Sequence, residues 1–317
     1  MTNPSASNLT NISQATTNIT MSGEAFDAPL KVSYIITIIF NSISCHFTVA
    51  LNVLVIMAVK RRPRLQSYSN ILLACLAVTD ALTGLLVQPT YIIWRTFQIL
   101  GGINTDIIHN LHILFLVGVT LSSALHLMLV TCERLIAIKY TFVHPYLVTA
   151  LNTKVAVTVI WVLALCCTVL RWPSVNQLFN DGMGEKIGNV MMFTVIISCI
   201  VFIVLSYAIL YKETAYQKYK IKTQQLLQEE VERFLKEKKA LKTTVYVIGA
   251  VLLCFSPGAV VTILSYIGKL NIPYSAPWIM TIVMLNSLLN PLVYCWRQKE
   301  MRQFVFQLST AAVAPVS

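Results

Sequence analysis

The sequence predicts an all-α membrane protein, a bundle of seven transmembrane helices followed by a short amphipathic eighth helix. Of its 317 residues, 56% are apolar and only 12% are charged, and the mean hydropathy is +0.69. A soluble globular protein carries about 25% charged residues, so this composition indicates a chain dissolved in lipid. The apolar residues form long unbroken runs. The Lys and Arg residues, which give a net charge of +11, collect on one side of these runs.

Seven apolar runs follow one another along the chain. At about 1.5 Å rise per residue, about 20 helical residues cross a hydrocarbon core of roughly 30 Å, and each run is about that long or longer. Only helices and closed barrels satisfy their backbone in lipid, and barrel strands would alternate in polarity, which these runs do not. We therefore predict seven helices, roughly at residues 32–59, 68–94, 107–138, 153–172, 189–211, 241–267 and 276–296.

The basic residues indicate the orientation of these helices. Most of them lie in the connections after the first, third and fifth runs and in the tail after the seventh. The opposite side carries Lys31, Arg95, Arg171, Lys186 and Lys269. Because cytoplasmic loops are enriched in Lys and Arg, we predict an extracellular N-terminus and a cytoplasmic C-terminus in the plasma membrane. We expect these cations to contact anionic membrane lipids, and no nucleic acid is needed as a partner.

Polarity divides the chain into three predicted parts. Residues 1–31 lack the basic and apolar regions of a signal peptide and carry N-glycosylation sequons at Asn8, Asn11 and Asn18. We expect residues 1–31 to form a glycosylated extracellular tail, 32–296 the membrane domain, and 297–317 a cytoplasmic amphipathic helix with a short tail. The same tail composition is typical of a disordered segment, with or without sugars.

The cysteines argue against a metal centre and an extracellular disulfide. All 8 lie in apolar runs or at their ends, and no spacing among them resembles a zinc site. We expect them to be small packing residues. The runs also contain no nucleophile beside a base, so no enzyme is predicted.

One acidic residue, Asp80, lies deep inside an apolar run. A carboxylate at the bilayer centre costs about 2.5 to 3.5 kcal/mol on insertion scales and is by default a functional candidate. Other polar residues lie at middle or inner depth in neighbouring runs: Asn52, Ser123, Asn286, Ser287 and Asn290. One polar cluster within the bundle is therefore expected.

Landmark residues on all seven predicted helices carry a family resemblance. In chain order they are Asn52, the LAVTD run ending at Asp80, Glu133-Arg134-Leu135, Trp161, Tyr207, Cys254-Phe255-Ser256-Pro257 and Asn290-Pro291-Leu292-Val293-Tyr294. With this order and polarity, the chain resembles the rhodopsin-like (class A) G-protein-coupled receptors. The resemblance implies a receptor that binds an extracellular ligand and activates a heterotrimeric G protein.

The resemblance assigns an allosteric sodium pocket to the polar cluster. Its residues are Asp80, Ser123, Asn286, Ser287 and Asn290. A carboxylate, hydroxyls and waters supply the oxygen ligands that hard cations prefer, and bound sodium would favour the resting packing. The alternative is a neutral, hydrogen-bonded Asp80 that serves helix packing alone.

The resemblance also assigns a switch at the cytoplasmic side. Arg134, next to Glu133, is similar to the family's switch arginine, and Glu237 at the start of the sixth helix is placed to pair with it, unless both are solvated charges. Pro257 removes a helical hydrogen bond and kinks the sixth helix, so that its inner half can swing outward. This swing would open a cleft for a helix of the G-protein α-subunit. Further coupling residues implied by the resemblance are Tyr207, Phe255, Asn290, Pro291 and Tyr294.

An apolar ligand pocket follows from the same resemblance. Its predicted wall comprises Ile113, Leu116, Val117, Thr120, Phe255, Thr262, Met280 and Met284. Leu116 stands where amine receptors carry an acid, and Met284 stands where opsins carry the retinal lysine, so we predict no retinal and no other cofactor. An uncharged or lipid-like ligand fits such a wall. The alternatives are a peptide that contacts a rim of Asp106, His109 and His112, or an orphan receptor with high basal activity.

Three departures from the family pattern narrow the resemblance. His109 replaces the third-helix cysteine that usually forms a disulfide bond with the second outer loop. The fifth helix lacks its usual proline near Cys199, and Phe255 replaces a tryptophan of the sixth helix. In lacking both this cysteine and this proline, the chain is similar to the lipid, cannabinoid and melanocortin receptor branch.

The cytoplasmic segments complete the prediction. Residues 297–308 place Met301, Phe304, Val305 and Leu308 on one helical stripe, which is typical of an amphipathic helix on the inner leaflet. Residues 212–242 form either helical extensions of the fifth and sixth helices or a solvated loop. An alternative of another class is a small transporter or channel that uses Asp80 as its carrier group, which would require a polar path or inverted repeats.

Overall fold

The structure is a computed structural model that describes residues 28–101, 105–170, 183–223, 228–266 and 274–313. Within these ranges every regular element is helical. Seven helices are long and apolar enough to cross a membrane, which confirms the predicted fold class. Their bounds are α1 Ala28–Arg61, α2 Tyr68–Ile99, α3 Thr105–Lys139, α4 Ala150–Val169, α5 Met183–Thr223, α6 Gln228–Tyr266 and α7 Ala276–Arg297. An eighth helix, α8, spans Lys299–Val313.

Local side-chain chemistry defines several helix ends. The Ser67 hydroxyl accepts a hydrogen bond from the Asn70 backbone N–H at the start of α2, and Thr149 caps α4 through the Asn152 N–H in the same way. Such caps satisfy backbone donors that have no partner inside the helix. Between α7 and α8, Gln298 adopts an extended backbone conformation with ψ 108°, so the chain turns there from the bundle towards the membrane surface.

The middle of α2 contains a π-helical turn, Thr83–Val87. Pro89, just beyond it, has no N–H to donate to the preceding turn. At the same level Gly84 lies directly against α1, because a Cβ atom on this residue would be 2.7 Å from Val49 Cγ2 and 2.9 Å from the Cys45 carbonyl oxygen. Only glycine permits this close approach of α2 to α1.

Helix α3 lies at the centre of the seven-helix bundle. Helix α1 packs against α2 and α7, α6 packs against α7, and α3 contacts α2, α4, α5 and α6. A buried apolar cluster at the end of the bundle that carries α8 includes Leu72, Leu76, Val130 and Tyr294. Large apolar side chains cover the outside of the bundle, including Phe40, Ile43 and Phe47 of α1. The lipid-facing surface is thus apolar, as the composition predicts.

The described bounds refine the sequence prediction. Helix α2 extends beyond the predicted residue 94 to Ile99. Helices α5 and α6 continue past their apolar runs to Thr223 and from Gln228. The helical interpretation of residues 212–242 is therefore confirmed over the part that the structure describes.

The amphipathic eighth helix docks onto the inner end of the bundle. Met301 and Phe304 of α8 are buried in the same apolar cluster as Leu72 and Tyr294, as the stripe predicts. The Arg62 guanidinium lies 5.6 Å from the Phe304 ring centroid, and Arg64 pairs with Glu300 at 3.5 Å. Because the latter pair is exposed, it contributes at most about 1 kcal/mol, and the buried apolar residues hold α8 in place.

Candidate functional site

The buried carboxylate of Asp80 lies where α1, α2 and α7 meet. Asp80 is completely buried, and Asn290 Nδ2 of α7 donates to its Oδ2 atom at 2.8 Å. The Ser287 hydroxyl donates to Thr83 Oγ1 at 3.0 Å, and Asn52 Nδ2 of α1 donates to the Ser287 carbonyl at 2.9 Å. Four of the predicted polar residues thus join three helices in one hydrogen-bonded group.

Several oxygen atoms in this group have unused capacity. Asp80 Oδ1, Asn286 Oδ1 and Asn290 Oδ1 are buried and accept no hydrogen bond from the described residues. Buried oxygens are normally satisfied by protein, water or an ion. Carboxylate and amide oxygens are hard ligands that suit a small cation, whereas a transition-metal site would need His, Cys or acid clusters, and the described residues form no such cluster.

A small cavity of about 20 Å³ connects this polar group with the predicted ligand wall. Leu116 and Thr120 of α3, Phe255 of α6 and Met284 of α7 line its outer part. The lining also includes three members of the predicted sodium pocket: Ser123, Asn286 and Ser287. The two sites predicted separately from the sequence therefore line the same cavity.

A second small cavity, of about 30 Å³, lies between α3, α5 and α6. Cys199, Ile203 and Val251 line it, together with Thr120, Ser123, Phe255 and Asn286, which also line the first cavity. Phe255 stands on the boundary of both cavities. A movement of this ring would therefore change the volume available on either side.

The remaining predicted wall residues lie elsewhere. Ile113, Val117 and Met280 are partly or fully buried in the bundle but are not among the residues lining these two cavities. The side chain of Thr262 lies outside the described residues, as do the predicted glycosylation sites Asn8, Asn11 and Asn18.

At the end of the bundle that carries α8, a compact ionic group surrounds Arg134. Its Nε atom lies 2.7 Å from Glu133 Oε2, and both side chains are about 5% exposed. His144, in the single helical turn after α3, approaches Glu133 Oε1 at 3.2 Å. The carboxylate of Glu133 thus bridges Arg134 and His144. The side chain of Glu237 lies outside the described residues.

The hinge and tyrosine residues of the predicted switch lie on α5, α6 and α7. Pro257 and Pro291 are inside α6 and α7 respectively. Tyr294 is fully buried in the apolar cluster that also holds Met301 and Phe304 of α8, and Tyr207 packs against that cluster from α5. Tyr207 also packs against Leu210 and Leu241, so it lies between the inner parts of α5 and α6.

The half of the bundle away from α8 contains a polar network that the sequence did not predict. Asn41 Nδ2 donates to Thr281 Oγ1 at 3.0 Å. Gln88 Nε2 lies 2.8 Å from Ser44 Oγ and 3.2 Å from Asn41 Oδ1. Asn41 and Gln88 are completely buried. Two amides inside apolar runs are the sequence signal that would have revealed them.

Two outer residues have different roles from those expected. His112, predicted as a rim contact, is fully buried. Its Nδ1 atom lies 3.2 Å from the Val87 carbonyl, and its ring stacks on Trp94. The rim prediction for His112 is wrong because this face of α3 packs against α2. Arg95, counted only as an outer-face cation, is 5% exposed and lies among aromatic rings.

Fold and site together define a seven-helix membrane receptor. The family model described as 7 transmembrane receptor (rhodopsin family) matches residues 51–294. The chain therefore belongs to this family, the rhodopsin-like (class A) G-protein-coupled receptors. It is a multi-pass membrane receptor and not an enzyme.

Characterised receptors are similar to the chain over most of its length. The histamine H2 receptor of Canis lupus familiaris is 26% identical over 312 residues, which cover 92% of this chain and 83% of that receptor. The adenosine receptor A2b of Rattus norvegicus is 26% identical over 282 residues, which cover 80% of this chain and 83% of that receptor. The printed names of these two relatives refer to an amine and a nucleoside, so the relatives differ in ligand.

Proposed function

We propose that this receptor binds an uncharged or lipid-like small molecule from the extracellular side and activates a heterotrimeric G protein. The observation that carries the proposal is the shared cavity, in which Leu116 and Phe255 face the same space as Ser123 and Asn286. A ligand against the apolar wall would act directly on the polar group around Asp80. Phe255, on α6, would transmit the contact to the helix that moves.

The ligand class follows from the wall. Leu116, Val119 and Met284 are apolar, and Thr120 contributes a hydroxyl. Two relatives carry the names of an amine and a nucleoside receptor. An amine ligand needs a carboxylate for its ammonium group, and the described residues that line this cavity include none. We therefore propose a largely apolar ligand rather than histamine or another small amine.

Sodium is proposed as an allosteric ligand of the group around Asp80. The Asp80 carboxylate, the Ser123 and Ser287 hydroxyls, and the oxygens of Asn286 and Asn290 form a donor set of hard oxygen atoms. A bound cation would hold α2, α3 and α7 together and would favour the resting packing. A ligand that shifts α7 or Phe255 would weaken this binding, and by linkage sodium would weaken agonist binding by the same factor.

The proposed switch releases Arg134 from Glu133. In the resting packing Arg134 pairs with Glu133 at 2.7 Å, and His144 holds the other carboxylate oxygen at 3.2 Å. Pro257 provides a hinge about which the inner half of α6 swings outward. The swing would open a groove beside Arg134 for the C-terminal helix of the G-protein α-subunit, while Tyr207 and Tyr294 close on the released arginine.

The proposed membrane topology of the chain is that of a plasma-membrane receptor. Residues 1–31 would be an extracellular tail glycosylated at Asn8, Asn11 and Asn18, and residues 297–317 would lie in the cytoplasm. The excess of Lys and Arg in the connections on the α8 side supports this orientation. Contacts of these cations with anionic lipids would add about 1 kcal/mol per well-placed residue.

The proposal is tested by measuring nucleotide exchange on each class of G protein in membranes that hold the receptor. Basal or ligand-driven exchange is expected for the wild type and is lost in Arg134→Ala. Arg302→Ala, which removes an exposed cation of α8, is the matched control and keeps the signal. Exchange that survives in Arg134→Ala, or ion flux without coupling to any G protein, contradicts the proposal.

A further inference from the structure

The feature that carries a further inference is the buried guanidinium of Arg95 in the outer part of α2. Arg95 is only 5% exposed and lies four residues before the end of the helix at Ile99. Removing a cation from water is costly unless it is paired and hydrogen-bonded. The residues around the guanidinium should therefore indicate which ion-pair or hydrogen-bond partner it binds.

Aromatic rings occupy the faces of the guanidinium. Arg95 Cζ lies 3.6 Å from the ring centroid of Trp94 and 4.4 Å from that of Tyr34, with Tyr91 at 5.6 Å. The ring of His109 packs against Trp94 at 4.3 Å between ring centroids. These contacts hold the plane of the guanidinium in one orientation and stabilise its charge. The ring faces leave the N–H groups free for partners in the guanidinium plane, and the Tyr91 hydroxyl is one such partner.

The in-plane donors are only partly used. Arg95 Nη1 donates to Gln98 Oε1 at 2.8 Å, and Nη2 faces the Met280 sulfur at 3.9 Å. Thioether sulfur is a weak acceptor. The Nε group is buried and has no hydrogen-bond partner among the described residues, and none of their carboxylates forms an ion pair with Arg95. A guanidinium has five N–H donors in a fixed fork that matches a carboxylate.

Arg95 adjoins the predicted ligand wall. Trp94, Met280 and Leu116 belong to one apolar cluster together with Met284, and Met284 and Leu116 line the shared cavity. A ligand that extends along this cluster would reach from the cavity to the guanidinium through Met280. An apolar body with one acidic end group matches both parts.

We propose that Arg95 binds the carboxylate of an amphiphilic organic acid, whose apolar part lies against Leu116 and Met284. The inference rests on the proposed receptor function and names the ligand class for the same pocket. Of the two ligand types in the proposed function, uncharged and lipid-like, the inference selects the lipid-like one and gives it an acidic end group. The other occupant of the guanidinium edge would be a carboxylate of the chain itself, from the outer acids whose side chains lie outside the described residues: Glu24, Asp27, Asp181 and Glu185.

The experiment measures ligand binding without a G protein, so that it does not depend on coupling. Purified, lipid-stripped receptor is titrated with saturated fatty acids of 8 to 18 carbons, and with the methyl ester and primary amide of each. Binding is followed by the thermal unfolding midpoint and by competition with a radiolabelled acid. Because a hydrogen-bonded ion is worth more than a neutral pair, the acids should bind about tenfold to a hundredfold more tightly than their amides.

Two variants test the role of the arginine. Arg95→Gln should reduce the affinity for the acid to that for the amide. Gln98→Glu keeps the cation and the fold but offers an internal carboxylate at the Nη1 position, so it should remove the preference for acids as well. Lys31→Gln, which removes an exposed cation at the outer end of α1, should keep it.

The proposal is overturned if acids and amides bind equally, if no acid of the panel stabilises the wild type more than Arg95→Gln, or if the preference survives in Arg95→Gln. It is also overturned if the preference appears only after Glu24, Asp27, Asp181 and Glu185 are replaced by amides, because a carboxylate of the chain then occupies the site. Nucleotide exchange measured in parallel separates the two claims. Arg95-dependent acid binding without exchange would contradict the proposed signalling and leave this site standing.

Discussion

Replacing Asp80 by Asn removes the only carboxylate of the polar group while keeping its shape. The Asn290 amide donates to Asp80 Oδ2 at 2.8 Å, and hydrogen bonds to charged groups contribute about 1.5 to 3 kcal/mol. The proposed sodium ion adds a second, concentration-dependent contribution. At a sodium concentration about ten times its Kd, ligand binding stabilises the folded protein by about 1.4 kcal/mol.

The assay is the thermal unfolding midpoint of purified receptor in sodium chloride against the same concentration of choline chloride. The wild type should unfold at a higher temperature in sodium, and Asp80→Asn should show the same midpoint in both salts. Asp106→Asn removes an exposed acid at the outer start of α3 and should keep the full sodium effect. A sodium-dependent shift that persists in Asp80→Asn, or its absence in the wild type, would refute the account of this pocket.

Three further substitutions test separate parts of the structure. Gly84→Ala should lower the free energy of unfolding by about 1 to 3 kcal/mol, because its Cβ would lie 2.9 Å from the Cys45 carbonyl oxygen; Gly249→Ala, with nothing within 4 Å of its Cβ, is the control in a denaturation experiment and should cost nothing. His144→Ala should raise basal nucleotide exchange about fivefold, since a hydrogen bond worth about 1 kcal/mol no longer fixes Glu133 against Arg134; unchanged exchange at equal surface expression would show that His144 has no part in the switch. Glu237→Ala should likewise raise ligand-independent exchange, and a basal rate equal to that of the wild type would argue against a pair between Glu237 and Arg134.

The sequence predicted the membrane helices well because the length of an apolar run is a local property of the chain. Apolar run length alone defines α3 and α7 to within a few residues, since lipid thickness sets the length of a spanning helix. The polar group could also be predicted from the sequence, because Asp80, Asn286 and Asn290 are rare residue types in an apolar environment. Rare polar residues in lipid have few stable positions other than contact with one another.

The sequence did not predict the position of a side chain where that position depends on neighbouring helices. His112 was predicted at the rim, yet it bonds to the Val87 carbonyl inside the bundle. Arg95 was counted as an outer cation, although Trp94 and Tyr34 enclose it. The π-helical turn at Thr83–Val87 rotates the outer part of α2 relative to its inner part. Since the sequence shows no period change there, the faces of residues beyond the turn could not be assigned.

The central claim is that the inner half of α6 moves away from α3 when the receptor engages a G protein. Spin labels at Lys139 of α3 and Lys242 of α6, both exposed, report this distance by double electron–electron resonance. Nucleotide-free G protein should shift the distribution to longer distances in the wild type, and Arg134→Ala should prevent the shift. A distribution that stays unchanged when the G protein is bound would contradict the account.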